Sequence, residues 1–203
     1  MEDLEKLFGS VAKVKLMKLF LLNSQSIFEL DEIKKRSNVT AKSVRKELST
    51  LEKIGFVKIH SVQKKKKVNG KTKKESKSVK GWSLNPNFKY LEPLKNLLVF
   101  TNSFKSKDVL KKFNKAGAIK LIVISGVFIQ EWETRIDIMI VGDNLKMNNL
   151  NSVLRTLESE VGKELKYSIF ETEDFKYRLT MCDKLVRDIL DFPHQKILNR
   201  LDI

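Results

Sequence analysis

The sequence predicts an α+β chain built from two unlike halves. Three observations lead there. Amphipathic segments in the first half close on two short β-rich stretches around a lysine tract; apolar strands alternate with helical periodicity in the second half; and a net charge of +15 is concentrated in the first half. At 203 residues the chain is long enough for one large domain or two small ones, each with a buried core. Hydrophobic residues at 41% and charged residues at 32% are ordinary globular values. No apolar stretch approaches the roughly 20 residues needed to cross a bilayer, so no membrane association is expected. The start Met1-Glu2-Asp3-Leu4-Glu5 has neither a basic nor an apolar signal region, which argues against secretion. Cys182, the only cysteine, excludes an internal disulfide and a cysteine-based zinc cluster, and points to a reducing cytoplasm.

Val11, Val14, Leu16, Leu19, Phe20 and Leu22 form a helical stripe that stops near Asn23-Ser24. Glu29 to Arg36 is a short amphipathic segment with Leu30 and Ile33 inward, stopping at Ser37-Asn38. Thr40 is a good N-cap, Val39 and Val44 are placed to form a hydrophobic staple, and Val44, Leu48 and Leu51 repeat at i, i+4, i+7. That helix should end near Gly55. Phe56 to Val62 and Lys80 to Leu84 read as short strands, the second with Trp82 inward. Between them Asn69-Gly70 gives a hairpin signal inside a tract too polar to bury anything, which predicts a long, mobile basic hairpin. Asn85-Pro86-Asn87 breaks the chain, Phe88 to Phe100 reads as a helix with Leu91, Leu94 and Leu98 on one face, and Thr101 to Ser106 is the candidate linker.

Residues 1–100 hold 23 Lys+Arg against 10 Asp+Glu, while residues 101–203 hold 17 against 15. A lysine-rich, AT-biased genome would enrich both halves, so the asymmetry points to a polyanionic partner of the first. The stretch Lys58 to Lys80 alone carries ten lysines and one acid, Glu75.

Three helices, a tight turn before the third, and two strands around a basic tip are the order of a winged helix-turn-helix domain. Burying Val44, Leu48 and Leu51 leaves Lys42, Ser43, Arg45, Lys46 and Ser49 on the outer side of the third helix, which suits a major groove. Arg45 is the expected base contact. The lysines of the wing, Lys64, Lys65, Lys66, Lys67, Lys71, Lys73 and Lys74, suit phosphates, and the absence of aromatic residues at the tip argues against single-strand binding. The segment Ser43-Val44-Arg45-Lys46-Glu47-Leu48 through Leu51-Glu52-Lys53-Ile54-Gly55-Phe56-Val57 resembles the end of the recognition helix in ArsR-like winged-helix regulators of prokaryotes.

In the second half, Ile119 to Ile124 and Arg135 to Val141 read as buried strands, Met147 to Val161 as a helix, Glu164 to Phe170 as a third strand, and Phe175 to Met181 and Asp183 to Leu190 as helices. Over roughly residues 105–203 this half resembles the minimal nucleotidyltransferases of the DNA polymerase β superfamily. That family has a Gly-Ser turn behind the nucleotide phosphates and an Asp-x-Asp strand, with a third carboxylate, holding two magnesium ions. Here Ser125-Gly126 stands in reversed order at the turn, Arg135-Ile136-Asp137 replaces Asp-x-Asp, and the third strand offers no Asp. The resemblance therefore implies a degenerate site of Ser125, Gly126, Arg135 and Asp137 without metal, cofactor or catalysis, in which Asp137 pairs with Arg135 on one strand face. The rest of the half, including Leu190-Asp191-Phe192-Pro193-His194, resembles the closing elements of such domains fused to winged helices.

The expected fold is thus an N-terminal winged helix-turn-helix domain over 1–100, followed by a small mixed α/β nucleotidyltransferase-like domain over 105–203. The expected function is sequence-specific binding of double-stranded DNA by a cytoplasmic transcriptional regulator. It would act as a homodimer paired through Leu91, Leu94 and Leu98, with a protein partner or small ligand at the C-terminal domain. Two other readings stand beside it: an active nucleotidyltransferase, and an antitoxin-like module whose partner is a protein. His60 and His194 lie far apart without further ligands, Cys182 reads as packed or free, and no phosphate loop or nucleophile elbow is present.

Overall fold

A computed structural model describes residues 2–68, 71–100 and 106–203, and side chains for 3–63, 78–100 and 107–203. The chain is α+β with two sheets. It divides into two compact units, Met1–Thr101 with Ser159–Lys163, and Asn102–Glu158 with Glu164–Ile203. The candidate linker lies almost wholly in 101–105, outside the described residues.

The first unit begins with α1 (Glu2–Phe8) and α2 (Val11–Leu22). Ser10 caps α2 by accepting the Lys13 N–H at 3.2 Å. Unlike a one-sided stripe, α2 is buried nearly all round, with Ala12, Val14, Leu16, Met17, Leu19, Phe20 and Leu21 all in the core, while Val11 remains exposed. Two residues, β1 (Phe28–Glu29), lead into α3 (Leu30–Ser37), where Glu29 and Glu32 form a capping box and Asn38 at φ +51° ends the helix. Helix α4 (Ala41–Lys53) follows, capped by Thr40, whose Oγ1 accepts the Ser43 N–H at 3.4 Å.

Gly55, at φ +77°, turns the chain into β2 (Val57–Val68) and β3 (Lys71–Leu84). These strands are much longer than the polar composition suggested, because the pairing continues past Val62↔Val79 to Lys64↔Lys77, Lys65↔Ser76 and Val68↔Lys71, with a register shift between Lys65 and Lys67. Backbone bonding does not require an apolar face, so a polar ladder can continue where side-chain patterning gives no signal. Strand order is β1-β3-β2, all antiparallel. Val57, Leu84 and Phe28 are buried with Phe56, and Trp82 packs at the edge of that core.

The expected helix from Phe88 to Phe100 is shorter and irregular: α5 (Leu91–Lys95) runs into a π-helical turn, Asn96–Phe100. Leu98 is fully buried, and Leu91 and Leu94 pack against the same core. The stripe read as a dimer face therefore serves the unit's own interior.

The second unit opens with α6 (Ser106–Lys112) and holds a four-stranded sheet of order β6-β5-β4-β7. β4 (Ala118–Ile124) and β5 (Ile138–Asp143) are antiparallel, with Ile124 opposite Ile138. After α7 (Met147–Val161), β6 (Tyr167–Glu171) lies parallel to β5; then come α8 (Thr172–Thr180), α9 (Lys184–Leu190) and β7 (Gln195–Asn199), which pairs antiparallel with β4. Leu121, Val123, Met139 and Val141 face Phe175, Val186 and Ile189 in one core layer. The alternate residues Ile122, Ile124, Ile138 and Ile140 are equally buried, which explains why both strands read as unbroken apolar runs. The second strand starts at Ile138 and not at the expected Arg135, and β7, whose adjacent Ile197 and Leu198 are only half-buried, gives no strand pattern in the sequence.

Candidate nucleic-acid interface

Helix α4 is amphipathic in a simple way. Val44, Leu48 and Leu51 are at most 2% exposed, and helical geometry sets Lys42, Lys46, Ser49 and Lys53 on the far side with Arg45 toward one flank. Lys42, Arg45, Lys46 and Ser49 are exposed, while Ser43 is half-buried, its backbone N–H and hydroxyl both engaged with Thr40. Ser43 thus serves the cap through its N–H and, as acceptor from Thr40, through its Oγ, which keeps its own proton to donate. Lys53 was missed although it repeats Lys46 at i+7 and Ser49 at i+4.

Glu47 was also missed: it is 5% exposed, and its carboxylate lies 3.7 Å from the Lys13 ammonium of α2. Lys13 also donates to the Phe8 carbonyl, so one cation links the end of α1, α2 and the inner side of α4. An unpaired buried carboxylate would be costly; the neighbouring ammonium offsets that cost.

At the base of the hairpin Lys58 and Lys80 are exposed, His60 Nε2 lies 2.8 Å from Ser83 Oγ, and Ser61 and Ser78 share a hydrogen bond. The backbones of Lys64, Lys65, Lys66, Lys67, Lys71, Lys73 and Lys74 belong to β2 and β3, while their side chains and the whole of Asn69-Gly70 lie outside the described residues.

The second unit brings Ser125, Gly126 and Asp137 together and separates Arg135 from them. Asp137 is 5% exposed; Oδ1 accepts the Val127 N–H at 2.9 Å and Oδ2 the Lys166 N–H at 2.8 Å. Its carbonyl accepts the Ser125 N–H, and Ser125 Oγ donates to the Ile136 carbonyl. Gly126 has φ +56°, and a Cβ there would lie 2.1 Å from Asp137 Oδ1. The expected Arg135–Asp137 pair does not form. Arg135 binds Asp188 of α9 at 2.9 Å, because residues 135–137 precede β5 instead of lying in it, so strand alternation does not govern their side chains. Among the described residues no group of three or more His, Cys, Asp or Glu side chains is arranged to hold a metal ion. No helix among them is long and apolar enough to cross a membrane.

Comparison with protein family models, curated proteins and solved structures found no match for this chain.

Proposed function

We propose that the protein binds double-stranded DNA with sequence preference and regulates transcription, its first unit acting as a winged helix-turn-helix. One observation carries the reading: the outward row of α4 is made of cations and a hydroxyl, Lys42, Lys46, Ser49 and Lys53 with Arg45 beside them, while the inward row closes the core. A helix so arranged fits the major groove, where an Arg recognises guanine by two hydrogen bonds and Lys and Ser hold phosphates. The lysine-rich hairpin, with ten lysines from Lys58 to Lys80, supplies sequence-independent attraction.

The second unit has the role of a nucleotidyltransferase-like platform without catalysis, open to a partner protein or small ligand. Supporting this, the single acid left at the former metal position has both oxygens committed to backbone amides. Pairing of two chains on a palindromic site belongs to the proposal, but it must use a surface other than Leu91, Leu94 and Leu98. Selecting bound duplexes from a random pool tests the central reading: enrichment of a common sequence is expected, and recovery of unenriched pool overturns it. Labelled ATP or CTP with magnesium tests the second: no transfer is expected, and transfer lost in Asp137→Ala overturns the non-catalytic assignment.

A further inference from the structure

The charge of the second half is itself unevenly spread. Residues 101–203 carry a net +2, yet Lys107 to Lys115 alone contains four lysines and one acid, Asp108. Helix α6 and the turn after it bury Val109, Phe113 and Ala116, at 1%, 2% and 0% exposure. The spacing of four sets Lys107 and Lys111 on the opposite side of the helix, Lys115 follows in the turn, and all three are exposed.

The loop before α7 adjoins the same turn. The Lys146 N–H donates to the Ala116 carbonyl at 2.9 Å, and Asn149 Nδ2 to the Lys115 carbonyl at 2.6 Å. Lys146 is exposed together with Asn144, Asn148 and Asn149, and residues 144–151 contain no acid. Lys120 does not join this group: its ammonium lies 2.5 Å from Asp143, and it is the main cause holding that carboxyl below the usual carboxylate range. Among the described residues, none of the side chains of Lys107, Lys111, Lys115 and Lys146 is paired with a carboxylate.

We infer that Lys107, Lys111, Lys115 and Lys146 form a second phosphate-contact surface for duplex DNA, carried by the second unit; this rests on the DNA-binding reading above. The surface has point charges and neutral amide donors; neither segment holds an arginine, and the one aromatic side chain on them, Phe113, is buried. That composition suits backbone phosphates, which need charge and hydrogen-bond donors, and not base edges or unpaired bases. Lysines one helical turn apart repel one another, and a phosphate chain laid across them relieves the repulsion.

The test compares the full chain with the triple variant Lys107→Gln, Lys111→Gln, Lys115→Gln, and with the corresponding triple Glu variant, on a mixed-sequence duplex between about 50 and 200 mM salt. Circular dichroism confirms that each variant is folded. The expected result is a uniform loss of affinity, a salt slope reduced by about 0.9 for each contact removed, and unchanged sequence preference. An unaltered slope in both folded variants, while the parent chain binds, overturns this surface and leaves the DNA-binding reading intact. Failure of the parent chain to bind duplex overturns both. Loss of binding to polyglutamate in the variants, with duplex binding unchanged, assigns the patch to an acidic protein and also overturns the inference.

Discussion

Asp137 Oδ1 accepts the backbone N–H of Val127 at 2.9 Å, so the carboxylate fastens the turn that leaves β4. Its other oxygen binds the Lys166 N–H ahead of β6, and the two bonds join three segments of the second unit around one buried side chain. Asp137→Asn keeps the shape but offers an NH₂ to one of two backbone donors. The expected outcome is a loss of about 2 kcal/mol in the urea unfolding free energy of the second unit. Unfolding that matches the parent would mean the carboxylate does not fasten the turn.

Gly126→Ala should be costly for two reasons at once. Its φ of +56° disfavours any side chain, and the new Cβ would meet Asp137 Oδ1 at 2.1 Å and Thr134 Oγ1 at 2.5 Å. The combination with Asp137→Ala should therefore be less than additive, because removing the carboxylate makes room for the methyl group. A double-mutant cycle by thermal or urea unfolding measures the coupling, and strict additivity would show that the two residues do not meet.

Local chemistry was readable in advance where it is short-range. Thr40 capping α4, Val44, Leu48 and Leu51 turned inward, and Gly55 ending the helix each depend on neighbours within one or two turns. Contacts set by the tertiary fold were not readable. Nothing in Arg135-Ile136-Asp137 reveals Asp188 on α9, and nothing near Glu47 reveals Lys13 on α2. The stripe of Leu91, Leu94 and Leu98 illustrates the same limit: periodicity shows that a face is apolar but not what covers it. The long ladder of β2 and β3 escaped because backbone pairing leaves no trace in a run of lysines.

Arg45→Ala and the removal of a hairpin lysine should act differently on DNA. Arg45 is exposed, so its loss should leave folding within about 0.5 kcal/mol of the parent. Its effect should instead be to relax preference at one base position, by about 1–3 kcal/mol, in a repeated selection from random duplexes. Lys65→Ala should weaken all duplexes alike and reduce the salt slope by about one. An identical preferred sequence for Arg45→Ala and the parent would place base reading elsewhere than on this side chain.

Lys18 gives the first unit a pH dependence of unusual direction. The side chain is 2% exposed, its ammonium donates to the Glu160 carbonyl at 3.2 Å, and burial lowers its pKa from 10.5 to about 8, a fall only partly opposed by the charges of Glu160 and Glu5. In the unfolded chain the group keeps its ordinary value, so between about pH 8 and 10.5 the unfolded state binds more protons than the folded one. Stability contributed by this group must then rise with pH across that window, whereas below it the folded state bears the full cost of a buried charge. Lys18→Met keeps the length and removes the titration. Plotted against pH, the difference in unfolding free energy between Lys18→Met and the parent should shrink from pH 8 toward pH 10.5 and be flat below pH 7. A difference that stays constant across the window would show that Lys18 titrates in the folded chain as it does in water.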